Sequence, residues 1–293
     1  MRIQGRSASS TAVVVGVSLI LTAGLVQPAI ARADERGPST PVAKVVDERP
    51  DAFSAQAQAR LQGSPVEDLS ARTETSQTFA NPDGSWTTEM AAGPERVLGD
   101  DGTWRDIDLT LVEGTGGSWA PRVAPVDVEV GGGGSLEAAR VTFEDGSSLG
   151  VTWPEGKLPE PTVEGGVATY AIDEVTDLVI STSSTGAKAW IRLNEAPEDL
   201  GQSFSLGLSS SGVDVVEEDG VLELRDDSGE VLGATSDLVA WDASEDAAGA
   251  PLNVVDLDVE LAPVDKDSKR QAALSRRAAS DSDDLVLSLA LPE

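Results

Sequence analysis

Acidic side chains are the main residues of this sequence that could do chemistry, because it contains no histidine and no cysteine. Their absence excludes Ser-His-Asp and Cys-His catalysis and the usual zinc ligands. Asp173, Glu174 and Asp177 follow Tyr170 closely, and two carboxylates held at a suitable separation can hydrolyse glycosides. With 51 acidic residues, such neighbours arise by chance, so we interpret them as a charged strand end. We assign no catalytic residue and expect a protein that is not an enzyme, with a carboxylate-based hydrolase as the remotest alternative.

Two acidic turns could also offer oxygen ligands to a cation. They read "LRDDSGE" (224–230) and "GDDGT" (99–103), but neither has the ligand spacing of a calcium-binding loop. Ser184 and Lys188 stand one residue further apart than the Ser-x-x-Lys pattern requires, and we do not interpret them as a dyad. The sequence therefore predicts no metal site and no cofactor.

Two stretches combine Asp-Gly, a hydroxyl residue and a tryptophan: "DGSW" ends at Trp86 and "DGTW" at Trp104. Asp-Gly between strand-like runs favours a hairpin, because glycine adopts positive φ readily. Trp104 falls on the face of Asp106 rather than that of Ile107, so we expect a bulge beside Gly102 to turn it inward. If both rings are instead exposed, Trp86 and Trp104 would form a stacking platform for sugar rings. The six tryptophans are scattered along the chain, however, and filling the core explains them more simply.

Hydrophobic periodicity predicts the elements that must position these residues. "DAFSAQAQARLQG" (51–63) favours a helix that Asp51 caps and Gly63 ends, and Phe53, Ala57 and Leu61 give it one apolar stripe. Strict alternation, which is typical of half-buried antiparallel strands, occurs in "RDIDLTL", "VDVEV", "VLEL", "VVDLDVEL" and "LVLSLAL".

We therefore predict a mainly β protein with a short N-terminal helix, in which the strands form an antiparallel β-sandwich, one large or two in tandem. The expected organisation is a signal peptide (1–31), a flexible N-terminus (32–50), a helical segment (51–75), a first β region (76–152), a Pro-rich connector (153–166) and a second β region (167–293) that contains an exposed loop (262–284). We expect a weak domain boundary in the connector, and "GGGG" (131–134) indicates a flexible tip or a minor boundary.

The N-terminus has the features of a secretory signal peptide. Arg2 and Arg6 precede the uncharged apolar run at 12–26, which is followed by small-residue cleavage sites after Ala31 or Ala33. We expect a secreted, extracellular protein. Because it contains no cysteine, its core must hold it together without disulfides.

The formal net charge is −30, and removing residues 1–31, which hold two arginines and no acids, leaves −32. Such a charge argues against nucleic acid and, after signal cleavage, against a membrane surface as partner. The expected partner is an unknown protein or a cell-wall polysaccharide.

The order of these motifs resembles the N-terminal leader region of secreted actinobacterial proteins that carry RHS/YD repeats or DNRLRE domains. The resemblance covers roughly residue 71 to the end. Its first part rests on a Tyr/Phe-x-Asn-Pro-Asp-Gly stretch and a Gly-x-Trp-x-x-Ile-Asp-x-x-Leu strand. The residues that match are Phe79, Asn81, Pro82, Asp83, Gly84, Gly102, Trp104, Ile107, Asp108 and Leu111.

Two later stretches extend the resemblance: "VATYAIDEVTDLVISTSSTGAKAWIRLNEAP" and "GVDVVEEDGVLELRDDSGEVLG". The family continues into repeats and sometimes a toxin, none of which occurs here, so we expect a stand-alone or truncated leader. The resemblance implies a non-catalytic structural or interaction module and transfers no catalytic residues. An extracellular carbohydrate-binding module that uses Trp86 and Trp104 is the alternative.

Overall fold

The computed structural model describes residues 47–195, 203–218, 221–226, 228–235, 238–242, 244, 246, 251–263 and 282–290, and the backbone of 13–17. These residues are mainly β, with antiparallel sheets and one α-helix near the N-terminus, which confirms the predicted fold class. In this part of the chain, no helix is long and apolar enough to cross a membrane.

The described residues divide into two compact units. The smaller contains residues 47–108 and 123–125, and the larger contains 13–17, 109–122 and the residues from 126 onward. The division near residue 109 replaces the boundary that we expected between 153 and 166. That Pro-rich segment lies within the larger unit because two of its side chains, Trp153 and Leu158, are buried in the core.

The helix of the smaller unit, α1 (Ala52–Gln62), begins and ends at the predicted residues. The Asp51 carboxylate accepts a hydrogen bond from the Ser54 backbone N–H (2.9 Å), and this satisfies one of the free donors of the first turn. Gly63 ends the helix with φ +73°, a conformation that glycine adopts without steric cost.

The apolar stripe that we predicted on α1 is not the face that is buried. Phe53 and Leu61 are 85% and 83% exposed, whereas Ala55 and Ala59 are fully buried against Val66. The physical reason is that alanines let the helix backbone approach the neighbouring strands closely, which larger side chains at these positions would prevent.

The smaller unit contains two sheets. In the four-stranded sheet, β2 and β3 run parallel and the other pairs antiparallel. Its order is β2 (Glu48–Arg49), β3 (Val66–Asp68), β4 (Ser76–Ala80), β5 (Trp86–Met90), and the second sheet pairs β6 (Arg96–Leu98) with β7 (Trp104–Asp106). The expected helical segment 51–75 thus also contains β3, which is followed by a 3₁₀ turn (Leu69–Ala71).

The larger unit contains an eight-stranded antiparallel sheet. Its order is β23 (Asp258–Pro263), β24 (Ser282–Ala290), β17 (Ser203–Ser211), β12 (Ser148–Thr152), β11 (Glu137–Thr142), β10 (Asp127–Val130), β9 (Trp119–Val123) and β8 (Asp108–Glu113). Most of the exposed loop expected at 262–284 lies outside the described residues, while its ends belong to β23 and β24.

A seven-stranded antiparallel sheet is the second layer of this unit, which also contains a separate three-stranded sheet. The strand order of the seven-stranded sheet is β13 (Thr162–Glu164), β14 (Val167–Ala171), β15 (Thr176–Ser183), β16 (Gly186–Leu193), β1 (Val13–Val17), β21 (Leu238–Asp242) and β22 (Val254–Asp256). The three-stranded sheet contains β18 (Asp214–Glu218), β19 (Val221–Arg225) and β20 (Val231–Ala234).

One apolar core lies between the two large sheets, so the larger unit forms one sandwich. Alternate residues of each sheet enter the same cluster, for example Ile180 and Ile191 from one sheet and Leu208 and Leu287 from the other. Each such side chain stabilises the fold by about 1.5–3 kcal/mol when it leaves water. The two β regions of the sequence are not separate, because β12 of the first pairs with β17 of the second.

The glycine run at 131–134 is a site of close packing rather than a loose tip. A Cβ atom on Gly132 would lie only 1.6 Å from the carbonyl oxygen of Gly117. The backbone N–H groups of Gly131 and Gly134 donate to Ala138 (2.9 Å) and Leu158 (2.8 Å). Only residues without a side chain allow this approach at position 132.

Candidate functional site

Tyr170, the aromatic residue beside the candidate carboxylates, connects the two layers of the sandwich. It is fully buried in β14. Its hydroxyl donates a hydrogen bond to the carbonyl oxygen of Gly131 (2.6 Å), and the carbonyl oxygen of Ala138 also lies within hydrogen-bonding distance (3.0 Å). Burial raises the pKa of Tyr170 well above its ordinary value. The hydroxyl therefore acts as a neutral structural donor.

Two of the three candidate carboxylates, Asp173 and Asp177, have structural partners as well, whereas Glu174 is exposed. Asp173 Oδ1 accepts from the backbone N–H groups of Val175 and Thr176, both at 2.8 Å, and so shapes the turn between β14 and β15. Asp177 Oδ2 accepts from Arg192 (Nη2 at 2.8 Å) and from Asn194 Nδ2 (3.1 Å). Asp177 and Arg192 stand opposite each other on β15 and β16, so this is a cross-strand pair.

The acidic turns share one hydrogen-bonding pattern across both units. In each five-residue loop the first N–H donates to the last carbonyl, at 2.8–3.0 Å, and the N–H of the glycine donates to the first carbonyl. The loops span residues 81–85, 99–103, 143–147 and 226–230, and their glycines have φ between +72° and +95°. Asp-Gly in the first three loops, and Ser228-Gly229 in the fourth, thus provide turn geometry here, as the sequence predicted.

The carboxylate of each loop accepts hydrogen bonds from the residue two positions later. Asp101 Oδ1, for example, accepts from the Thr103 hydroxyl (2.6 Å) and backbone N–H (3.1 Å). The pKa values of Asp83, Asp101, Asp145 and Asp226 are lowered, first because of the neighbouring hydroxyl. The value for Asp101 is about 2. In the described part of the chain, no group of three acidic residues is arranged to hold a metal ion.

Trp86 and Trp104 lie in different sheets of the smaller unit. Trp86 is 43% exposed and begins β5, the edge strand of the four-stranded sheet. Trp104 is half-buried in β7, opposite Leu98. The β6–β7 pairing has no shift in register, so the bulge that we expected to turn Trp104 inward is absent from it. Instead the strand is interrupted at Ile107, whose N–H donates to the Glu95 carbonyl (3.0 Å).

The other tryptophans lie in the larger unit. Trp153 is buried in the core and Trp119 packs against it, which agrees with their predicted core role. Trp190 and Trp241 are half-buried. Trp190 alternates with the buried Ala189 and Ile191 of β16, so it lies on the outer face of the sheet.

Ser184 and Lys188 do not form a site. Ser184 lies in the turn after β15, whereas Lys188 lies in β16 opposite Ser181. Lys188 also lines a cavity of about 10 Å³ between the sheets, together with Val151 and Ile180. This volume holds about one water molecule.

A buried polar cluster, which we did not predict from the sequence, organises the smaller unit. Glu67 is only 2% exposed, and both its oxygens accept hydrogen bonds from Arg72 (2.7 and 2.8 Å) and from Gln77 Nε2 (3.1 Å each). Arg96, 5% exposed, donates to the carbonyls of Thr73 (2.9 Å) and Ser76 (3.2 Å). Nothing in the local pattern of "PVEDLSAR" shows that Glu67 points inward.

The strand β1 is the second feature that we did not predict from the sequence. Val13–Val17 falls within the apolar run that we interpreted as a signal peptide, yet it lies between β16 and β21 and pairs antiparallel with both. The run of valines is a signal that could have indicated it, because β-branched residues favour strands.

Comparison with protein-family models, with curated proteins and with solved structures finds no match.

Proposed function

We propose that the chain is a non-catalytic structural and interaction module of an exported protein, related to the leader region of secreted RHS/YD-repeat or DNRLRE proteins. The observation that carries this proposal is the use of its polar side chains. The residues that we considered as candidates for catalysis instead join strands and turns to one another. They are Tyr170, Asp173 and Asp177.

Three further properties support an exported module. The charge of −30 keeps nucleic acid and anionic surfaces away. Stability does not depend on disulfides, because the sandwich has a continuous apolar core. The charged N-terminal start and small-residue sites favour export through a signal peptide that is cleaved after Ala31 or Ala33.

Intact-mass measurement of the protein from a secreting actinobacterial host tests the export. The culture medium should contain a chain that begins at Arg32 or Asp34. Protein that remains in the cells with its original N-terminus would contradict the proposal. A matched variant, Ala31→Leu with Ala33→Leu, should block both cleavage sites, because the small residues they require are gone.

A carbohydrate-binding module is the second candidate, and the exposure of Trp86 favours it. Co-sedimentation with insoluble cell-wall polysaccharide separates the two functions. A structural module whose partner is a protein should leave the exported protein in the supernatant. Sedimentation that is lost in Trp86→Ala and retained in Trp86→Phe would favour sugar stacking instead, because phenylalanine keeps an aromatic face.

A further inference from the structure

One strand of the seven-stranded sheet in the larger unit, β1, is distant in sequence from the strands on either side of it. The backbone of Val13–Val17 forms five residue pairs with β16, from Leu193 to Ala189, and five with β21, from Asp242 to Leu238. All of these pairs are antiparallel. In the described part of the sheet, β1 is the strand that joins β16 to β21.

Removal of the signal peptide would remove this strand. Adjacent strands lie about 4.8 Å apart, so β16 and β21 would face each other across a gap of roughly 9.6 Å. Their backbone N–H and C=O groups would lose their partners on that side, and such open edges are templates for another strand. β21 would keep only its three pairs with β22.

We propose that β16 and β21 form a strand-acceptor slot that, in the exported protein, binds an uncharged, β-branched strand of a partner polypeptide antiparallel to both. This inference rests on the proposed function, because the slot opens only if residues 1–31 or 1–33 are cleaved.

The buried face of the slot defines the chemistry of its occupant. Ala189, Ile191 and Leu193 of β16 and Leu238 and Ala240 of β21 belong to the sandwich core. Positions 13, 15 and 17 are level with these residues in the register. A charged side chain at these positions would be buried without a partner, which is costly. The occupant must therefore be apolar at alternate positions.

Charge also favours a partner strand over a second copy of this chain. The mature chain carries about −32, since the segment that holds β1 contributes two arginines and no acids. A donor with neutral or basic flanks would be attracted to this surface, whereas two copies would repel each other.

Closing of the slot by direct pairing of β21 with β16 is disfavoured by the core. Leu238, Ala240 and Leu257 are buried in the cluster that both large sheets share, and the Leu257 N–H donates to the Leu238 carbonyl (2.9 Å). A shift of about one strand spacing would pull these side chains out of a close-packed interior.

The test begins with the full chain, folded, with a specific protease site inserted between Ala33 and Asp34. After cutting, the N-terminal fragment should remain bound and should exchange with a peptide of residues 10–18 flanked by lysines. The Val15→Pro peptide should bind at least about 100-fold more weakly, because proline lacks the N–H that a central strand requires. The Val14→Thr peptide is altered at a position that does not face the sandwich core, so it should bind like the original.

Hydrogen exchange identifies the site of binding. Amides of Gly186–Leu193 and Leu238–Asp242 should lose protection when the cut fragment is removed and regain it with the peptide. Protection that persists without fragment or peptide would overturn the proposal, because the slot would then close. A concentration-dependent dimer that excludes the peptide would also overturn it. An exported protein that keeps its original N-terminus would refute the proposed function, while the cutting experiment would still report on the slot.

Discussion

The two units of this chain are stabilised in different ways. The sandwich buries large aliphatic side chains from both sheets in one cluster. The smaller unit has an apolar cluster of four small residues, Ala55, Ala59, Val66 and Ala80. A cluster of this size removes little apolar surface from water, so the smaller unit depends on polar contacts to a degree that the larger unit does not.

The polar contacts of the smaller unit connect segments that are distant in the sequence. Arg72 bridges Glu67 of β3 and Glu48 of β2, and the hydrogen bond with Glu67 is the first cause of the raised pKa of Arg72. Arg96 holds the turn from Thr73 to Ser76 through backbone carbonyls. A short chain segment without disulfides can therefore be held in place by buried ion pairs when its apolar cluster is small.

The largest expected effect is the loss of an aliphatic side chain from the sandwich. Leu178→Ala should lower the free energy of unfolding by about 4 kcal/mol, because the fully buried Leu178 leaves a cavity. Chemical denaturation, monitored by amide exchange of β15 and β16, measures this change in the free energy of unfolding. Leu98→Ala, at a residue 53% exposed in the smaller unit, is the control and should change the free energy by much less. Equal effects would remove the contrast between the units.

Breaking the buried ion pair should destabilise the smaller unit by about 3 kcal/mol, because Arg72→Met leaves the Glu67 carboxylate buried without its counter-ion. Amide exchange of β3 and β4 is the measurement. Adding Glu67→Gln to Arg72→Met should restore part of the loss, since no unpaired charge then remains. Arg49→Met removes a surface contact to Asp47 (3.7 Å) and should cost less than about 1 kcal/mol. A similar loss in both single variants would contradict the role of the cluster.

Tyr170 brings a polar connection into the apolar core of the sandwich. Tyr170→Phe should lower the free energy of unfolding by about 2 kcal/mol, because the Gly131 carbonyl loses its 2.6 Å donor. Thermal unfolding monitored by circular dichroism checks this value. Tyr170→Leu, which also removes the ring, should cost more. A Phe variant as stable as the original would show that the hydroxyl is dispensable.

The alternating runs predicted the strands well, because period-two burial follows directly from strand geometry. "VDVEV" and "VLEL" correspond to β10 and β19. "RDIDLTL" and "VVDLDVEL" are each interrupted in the middle, at Ile107 and at Leu257, where a backbone N–H turns to a carbonyl of another segment. Such long-range partners are invisible in a local pattern.

The same limit explains which features of the candidate sites could not be predicted from the sequence. The Asp-Gly turns depend on contacts within five residues and were predictable. Trp104, the buried Glu67 and the strand Val13–Val17 depend on residues that pair with them from elsewhere. The exposed apolar face of α1 shows that spacing gives a face, and packing partners decide whether that face is buried.

Substitutions on the exposed face of α1 should have almost no effect on the stability of the smaller unit. Phe53→Ser and Leu61→Ser should change stability by less than about 0.5 kcal/mol, since both side chains are exposed. Ala59→Leu, on the buried face, should destabilise by about 2 kcal/mol through overpacking. Thermal unfolding compares the three variants. A large loss in Phe53→Ser would indicate that the stripe packs against something after all.

The smallest expected effect concerns the type of acidic turn that occurs in both units. Because the folded pKa of Asp101, about 2, lies below its ordinary value of 3.8, the ionised carboxylate stabilises the fold at pH values above about 4. That contribution is lost as the pH falls toward 2. Thr103→Val removes the hydroxyl donor and should raise the pKa of Asp101 toward its ordinary value, as carboxyl-carbon NMR titration would show. Ser147→Ala should do the same for Asp145 in the larger unit and leave Asp101 unchanged. An ordinary pKa for Asp101 in the unaltered protein would show that the turn forms without the hydroxyl contact.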